Sequence, residues 1–294
     1  MAESRVGIVI VNYNAEKYQN DSIRSIKQMK YSNYEIIVVD NGSTDNSIKL
    51  LKEEFPEVII IETNNNLGVA AGNNIGIRHA IKRGAEYILL LNNDIELDKD
   101  LLRILVQKAT KQTITVPKIY YFDKKRIIWS AGGKVDWNEG RPYHIGIGCP
   151  DSSRFNHEQV VEIAPTCCML IHKEVFKNVG LMDEKYFMYY DDTDFCIRAN
   201  QRDFKILYLP TAKMWHKVSS SSGGEKSKVC QYYVSRNILY FMKKYKKNIG
   251  KKWYKNIINR IKYVYGNHKD DPNAKFVIIG FYDFLRGKMY RKDF

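Results

Sequence analysis

Four short apolar runs at residues 5–11, 34–39, 58–61 and 87–91 alternate with helically spaced stretches at 22–29, 47–55 and 70–83. The runs are β-branched and almost unbroken, as in Val-Gly-Ile-Val-Ile-Val at 6–11, which predicts strands buried on both faces. Strand and helix in that order predict βαβ units, a parallel sheet and an α/β class with helices on both faces. Ligands of such sheets bind beyond the carboxyl ends of the strands. Each run here ends in polar residues: Asn12-Tyr13-Asn14, Asp40 to Asp45, Asn64 to Gly68, and Asn92-Asn93-Asp94.

At 294 residues the chain suffices for one large α/β domain with a small appendage. With 44% hydrophobic and 27% charged residues it has a globular composition. Five cysteines without a CxxC pair suggest neither a disulfide framework nor a zinc knuckle, and read as reduced thiols. No secretion signal or membrane-spanning run stands out, so a cytoplasmic location is expected.

The expected elements continue with short strands over 113–148, a hairpin-rich insertion shaping an acceptor site. A strand at 160–172, helices at 173–179 and 191–201 and a strand at 205–209 follow. Residues 219–224, mostly serine and glycine, read as a mobile linker before a basic helical region.

Four clusters carry candidate chemistry. Asp40, at a strand end, suits the imide N–H of a uracil or thymine ring, whereas Asp45 reads as a helix cap. The loop Asn64 to Gly76 lets backbone approach closely at Gly68 and Gly72, with a helix N-terminus placed for phosphate. It has neither the G-x-G-x-x-G spacing nor a P-loop lysine, so dinucleotide and P-loop readings recede. Asn92-Asn93-Asp94 delivers a carboxylate able to share a divalent cation with a diphosphate. Asp191, Asp192 and Asp194 open a helix after an aromatic stretch. Asp194 fits an i,i+4 pair with Arg198, while burial and mutual repulsion would raise Asp191 or Asp192 toward a general base's range.

In this order, Asn12-Tyr13-Asn14, Val39 to Asp45, Asn66-Leu67-Gly68, Leu91 to Asp94, Tyr190 to Arg198 and Trp215-His216 resemble the family 2 glycosyltransferases, in the branch of rhamnosyl- and galactofuranosyltransferases. The resemblance implies a GT-A (Rossmann-like nucleotide-diphospho-sugar transferase) domain with a mixed, mainly parallel sheet, followed by C-terminal basic helices. Domain boundaries are expected at 1–224, divided into nucleotide-binding 1–112 and acceptor-binding 113–224, and at 225–294. It further implies an inverting, Mg²⁺- or Mn²⁺-dependent transfer. Asp94 and His216 would then be metal ligands and Asp192, beside Asp191, the base. Asn12, Tyr13, Asn14, Asp40, Asn41, Asn66, Gly68, Gly72, Asn73, Asn92 and Asn93 would line the UDP- or dTDP-sugar. Trp129, Thr166 and Arg236 are the candidate acceptor contacts.

The motifs depart from the family pattern in three places. Asn92-Asn93-Asp94 has one carboxylate where many relatives have two, Asp191-Asp192 replaces Glu-Asp, and Thr166-Cys167-Cys168-Met169 replaces a glycine-containing stretch. A nucleotidylyltransferase should carry a Gly-rich, Arg-containing loop after its first strand, and Val11 to Asn14 is not one. A nucleotide-sugar-binding protein without catalysis is the non-enzymatic alternative.

The net charge of +14 is concentrated. Between Glu225 and Asp270 lie thirteen lysines and arginines and no acid, which implies an anionic partner. Trp253, Tyr254, Ile257, Ile258, Ile261, Val264 and Tyr265 share one helical face there, as in a helix lying on an anionic membrane or covering the catalytic domain. No nucleic-acid-binding signature accompanies the charge, so nucleic acid is not the expected partner.

Overall fold

The computed structural model describes residues 3–217, 224, 226–250, 253–268 and 272–293. The alternating segment folds as β1 (Val6–Asn12), α1 (Gln19–Lys27), β2 (Tyr34–Asp40), α2 (Ser47–Glu54), β3 (Ile59–Glu62), α3 (Val69–Lys82) and β4 (Tyr87–Leu91). Four strands run parallel in the order β4-β1-β2-β3, with Asn12 opposite Asp40 in register. Every strand therefore delivers its polar terminus to one edge.

The chain continues as β5 (Ile95–Leu97), α4 (Leu101–Lys108), β6 (Thr113–Tyr121), β7 (Ile128–Ser130), β8 (Gly133–Asp136) and β9 (Arg141–His144). Next come β10 (Gln159–Val161), β11 (Cys168–His172), α5 (Lys173–Val179), α6 (Asp191–Asn200) and β12 (Lys205–His216). The full sheet runs β10-β12-β6-β11-β4-β1-β2-β3, with β5 on β12 and β7 on β6. It is mixed and mainly parallel. β11 lies antiparallel between β4 and β6, and β6 and β12 run parallel to each other.

Three expectations change here. Residues 113–121 belong to the central sheet, buried along most of their length, and only β8 and β9 form a separate hairpin. The strand expected at 160–172 is broken: Pro165, which has no N–H for a ladder, lies between β10 and β11. The strand expected to stop at 209 continues to His216, absorbing Pro210 through a register shift between Leu209 and Lys213.

The basic region forms α7 (Lys228–Lys244), α8 (Lys246–Ile249), α9 (Trp253–His268) and α10 (Lys275–Leu285). The expected single apolar face of α9 divides. Trp253 and Ile257 pack with Ile238, Leu239, Met242 and Phe281, whereas Tyr254 and Ile258 are exposed. The side chains of Arg260, Ile261, Val264 and Tyr265, with Lys251, Lys252 and 219–223 of the expected linker, lie outside the described residues. Among the described residues no helix is long and apolar enough to cross a membrane.

Candidate active site

The ends of β1, β2 and β4 are tied together by side-chain amides. Asn12 Nδ2 lies within donating distance of Asp40 Oδ1 at 3.0 Å, Ser43 Oγ at 3.1 Å and Ser47 Oγ at 3.0 Å. Its own Oδ1 accepts from Asn93 Nδ2 at 3.2 Å. Ser43 donates its N–H to Asp40 Oδ2 and its hydroxyl to Oδ1. A carboxylate offers about four acceptor positions, so Asp40 keeps acceptor capacity on Oδ2. Tyr13 and Asn14 stand at the rim, with Asn14 Oδ1 accepting from the Thr44 N–H. Asn41 donates to the Gly68 carbonyl and Asn66 Oδ1 accepts the Gly68 N–H, so both shape the neighbouring loop. Asp45 accepts from the Ser47 N–H at the start of α2, which is capping work.

Beside this network β12 pairs antiparallel with β5, placing His216 opposite Ile95 and next to Asp94. His216 Nε2 is 3.1 Å from Asp94 Oδ1 and 3.2 Å from Asn92 Nδ2. The histidine tautomer decides which of the two it pairs with. In the tautomer that accepts from Asn92, an imidazole lone pair and a carboxylate oxygen converge as two ligand atoms. That donor set suits Mg²⁺ or Mn²⁺ if phosphate oxygens complete it. Among the described residues no group of three His, Cys, Asp or Glu side chains could hold a metal without such help.

Trp129 meets His216 edge-on at 4.8 Å between ring centres and lies 4.9 Å from His144. Burial, reinforced by His216, holds His144 at about 4, so it is neutral near pH 7.

The third wall is the N-terminus of α6. Burial, then the neighbouring Asp192, pushes Asp191 well above the usual carboxylate range, and one of its buried oxygens has no hydrogen-bond partner. Burial also raises Asp192, opposed by hydrogen bonds from Thr193 and the Thr166 backbone. Asp194 is a structural acid: Arg198, Lys244 and the Tyr245 hydroxyl surround it. Cys167 links this wall to the metal side. Its carbonyl accepts from Asn92 N–H, and its thiol is pushed up by burial, then by Cys168, Asp94 and Asp192. His216 and Asp94 are thus adjacent, Asp40 is joined to the same strand ends through Asn12 and Asn93, and Asp192 is joined to them through residues 166–167.

Four expected contacts face elsewhere. A Cβ on Gly68, at φ 90°, would lie 2.4 Å from the Phe187 carbonyl oxygen, so the close approach is to this chain's own backbone. That carbonyl also accepts the Val69 N–H at 2.6 Å, occupying the helix start expected to bind phosphate. Gly72 packs on Val11, and Asn73 is turned inward against Met182. Arg236 is fully buried and bonds main-chain carbonyls in place of an acceptor. Sequence reasoning missed His144 and Asn237, whose contacts are long-range, and met Cys167 only as part of the Thr166 to Met169 departure. The backbone before α6 is unusual in the structure: Phe187, Tyr189 and Tyr190 all have positive φ. Such strain costs of order 1–3 kcal/mol per residue and persists only where the surroundings hold it.

The family model of glycosyl transferase family 2 matches residues 7–180. A low-salt glycan biosynthesis hexosyltransferase of Haloferax volcanii is 29% identical over 208 residues, 68% of this chain and 63% of that protein. A dTDP-rhamnosyl transferase of Shigella flexneri is 26% identical over 254 residues, 82% of this chain and 81% of its own. The crystal structure of GalNAc-T7 with UDP, GalNAc and Mn²⁺ superposes with a TM-score of 0.62 at 16% identity, over 96% of this chain and 57% of that one. At that identity the likeness is one of fold, the GT-A architecture.

Proposed function

The chain belongs to glycosyl transferase family 2, and from that membership we propose that it moves a sugar from a UDP- or dTDP-sugar to a glycan or lipid-linked glycan acceptor in cell-surface polysaccharide synthesis. The observation that carries the reading is that residues 166–167 bond both walls, the Thr166 backbone to Asp192 and the Cys167 carbonyl to the Asn92 N–H two positions before Asp94. Asp40 is tied to the same strand ends by Asn12 and Asn93.

In this mechanism the free acceptor position of Asp40 Oδ2 takes the imide N–H of the base. Asp94 and His216 would hold Mg²⁺ or Mn²⁺, whose charge would stabilise the departing diphosphate. Asp192 takes the proton of the acceptor hydroxyl, and that oxygen forms a bond to the anomeric carbon from the face opposite the diphosphate. The carbon–oxygen bond to the diphosphate breaks with its electron pair leaving on the nucleotide, so the anomeric configuration inverts. Trp129, beside His216, offers an aromatic wall for a sugar ring, and Thr166 supports Asp192 through its backbone.

The deciding experiment measures transfer and nucleotide binding together. Asp192→Asn should abolish transfer while nucleotide affinity persists, and unchanged turnover would remove Asp192 from the base role. UDP-, dTDP- and GDP-sugars are separated by thermal stabilisation, since a ligand at 100 times its Kd adds about 2.7 kcal/mol.

The proposal extends to location. An acceptor held by lipid would place the protein in the cytoplasm on the inner face of the membrane, docked through its basic helices.

A further inference from the structure

The turn before α6 is held by a different part of the chain. Arg236 and Asn237 lie in the middle of α7, fully buried, about fifty positions beyond the turn. Asn237 Nδ2 lies within donating distance of the carbonyls of Tyr186 at 2.9 Å, Met188 at 2.7 Å and Tyr189 at 3.0 Å. Arg236 donates to the carbonyls of Lys185 and Tyr186, and through its other terminal nitrogen to Tyr290 at 2.6 Å. The two side chains are joined to each other, Arg236 Nε donating to Asn237 Oδ1 at 3.0 Å. The C-terminal segment closes the arrangement, with the Tyr290 N–H donating to the Lys185 carbonyl.

These bonds converge on a backbone that aromatic residues adopt poorly. Phe187, Tyr189 and Tyr190 have φ of 66°, 64° and 70°, and Asp191 follows at once. Three non-glycine residues with positive φ within four positions persist only where their surroundings over-determine them. Main-chain carbonyls are the right targets for that task, because bonds to them fix the path of the chain whatever side chains it carries. The same turn supplies the Phe187 carbonyl that receives the first N–H of α3. One clamped backbone therefore sets both the start of the acidic helix and the start of the helix beside the nucleotide-binding strands.

We propose that Arg236 and Asn237 are positioning residues for catalysis, holding the 187–190 turn in its strained path so that Asp191 and Asp192 are presented to the acceptor. The inference rests on the transferase reading given above. It makes α7 part of the catalytic apparatus without contact between α7 and substrate.

The test compares Asn237→Ala with Val277→Ala, which loosens the packing of α10 without touching the turn. Asn237→Ala should lower kcat about 100-fold, the scale expected for an ångström of misplacement, with the donor KM and nucleotide Kd within about twofold of wild type. Amide hydrogen exchange across 184–195 should accelerate in Asn237→Ala and stay as in wild type in Val277→Ala. If Asn237→Ala changes kcat and KM together, as general loosening would, or leaves exchange in the turn unaltered, the positioning role is overturned. If the wild-type protein transfers no sugar from any donor, the transferase reading falls. The exchange comparison then still decides whether Asn237 holds the turn.

Discussion

Burial disfavours the charge of both Asp191 and Asp192, and at Asp191 the neighbouring Asp192 adds to the effect. A base works only when deprotonated, so the transfer rate should fall, as pH is lowered, through a value above the ordinary carboxylate range. Asp191, the more strongly raised of the two, still holds its proton where Asp192 titrates, so Asp191→Asn should leave that acid limb nearly in place. Stability follows the same shift with a definite sign. The folded pair keeps a proton that the unfolded chain releases near pH 4, so stability declines as pH rises from about 4 toward the raised folded values. Urea titrations at several pH values should show this decline in wild type and a weaker one in Asp191→Asn. Equal slopes would mean that Asp191 is charged in the fold. The candidate acids were legible in the sequence, since a cluster after an apolar run is a local signal. The opposite fates of Asp192 and Asp194 were legible only in part. Arg198 is four residues from Asp194, but Lys244 and Tyr245 reach it from fifty positions away.

Among the elements, those formed by local pattern were readable almost to the residue. β4 and α5 match their expected spans, and β1 to β3 and α1 to α3 differ only at their ends. Elements formed by pairing were not. β6 looked like part of an insertion because Gly, Trp and Tyr break residues 113–148 into short strands, yet it is buried between β11 and β12. The contact of α6 with α7 belongs to this second kind, being made by buried charges. Asp194, wholly buried, accepts from Arg198 Nε at 2.8 Å and lies 2.7 Å from Lys244 Nζ. Without the Asp194 charge Arg198 loses its carboxylate, keeping the Val179 and Leu181 carbonyls, and Lys244 retains Asp183, at a cost of roughly 2 kcal/mol with both cations partly solvated. Asp194→Asn should therefore lower the melting temperature by several degrees, and to a similar extent with or without nucleotide. A change confined to turnover would assign Asp194 to catalysis.

At the scale of the molecule, the sequence suggested a catalytic unit ending near 224 and a basic appendage. The appendage shares the core: Phe241 and Tyr245 lie in the same buried cluster as β1, β2 and β4 residues, and Trp137 packs against both. What remains outside is a partly apolar surface on α9 and α10. Ile278, Tyr282 and Leu285 follow one another at helical spacing and are 45%, 51% and 63% exposed. Tyr254 and Ile258 on α9 are exposed at 59% and 48%. Such a surface alone would suit a second copy of the chain as well as a membrane, and charge separates the two. Lys255, Lys262, Lys275, Arg286 and Lys288 are exposed on or just beyond these helices, and Asp283 is buried against Tyr232 and Lys292. Two copies of so basic a surface would repel. An anionic bilayer would attract each cation by about 1 kcal/mol near the surface. The protein should therefore float with vesicles containing phosphatidylserine and not with phosphatidylcholine alone. Salt at about 1 M, where the Debye length is near 3 Å, should release it. Tyr282→Asp with Leu285→Asp should abolish flotation while leaving nucleotide affinity unchanged. A protein that ignores both vesicles and sediments as a dimer, reverting to monomer in that double variant, would assign this surface to self-association.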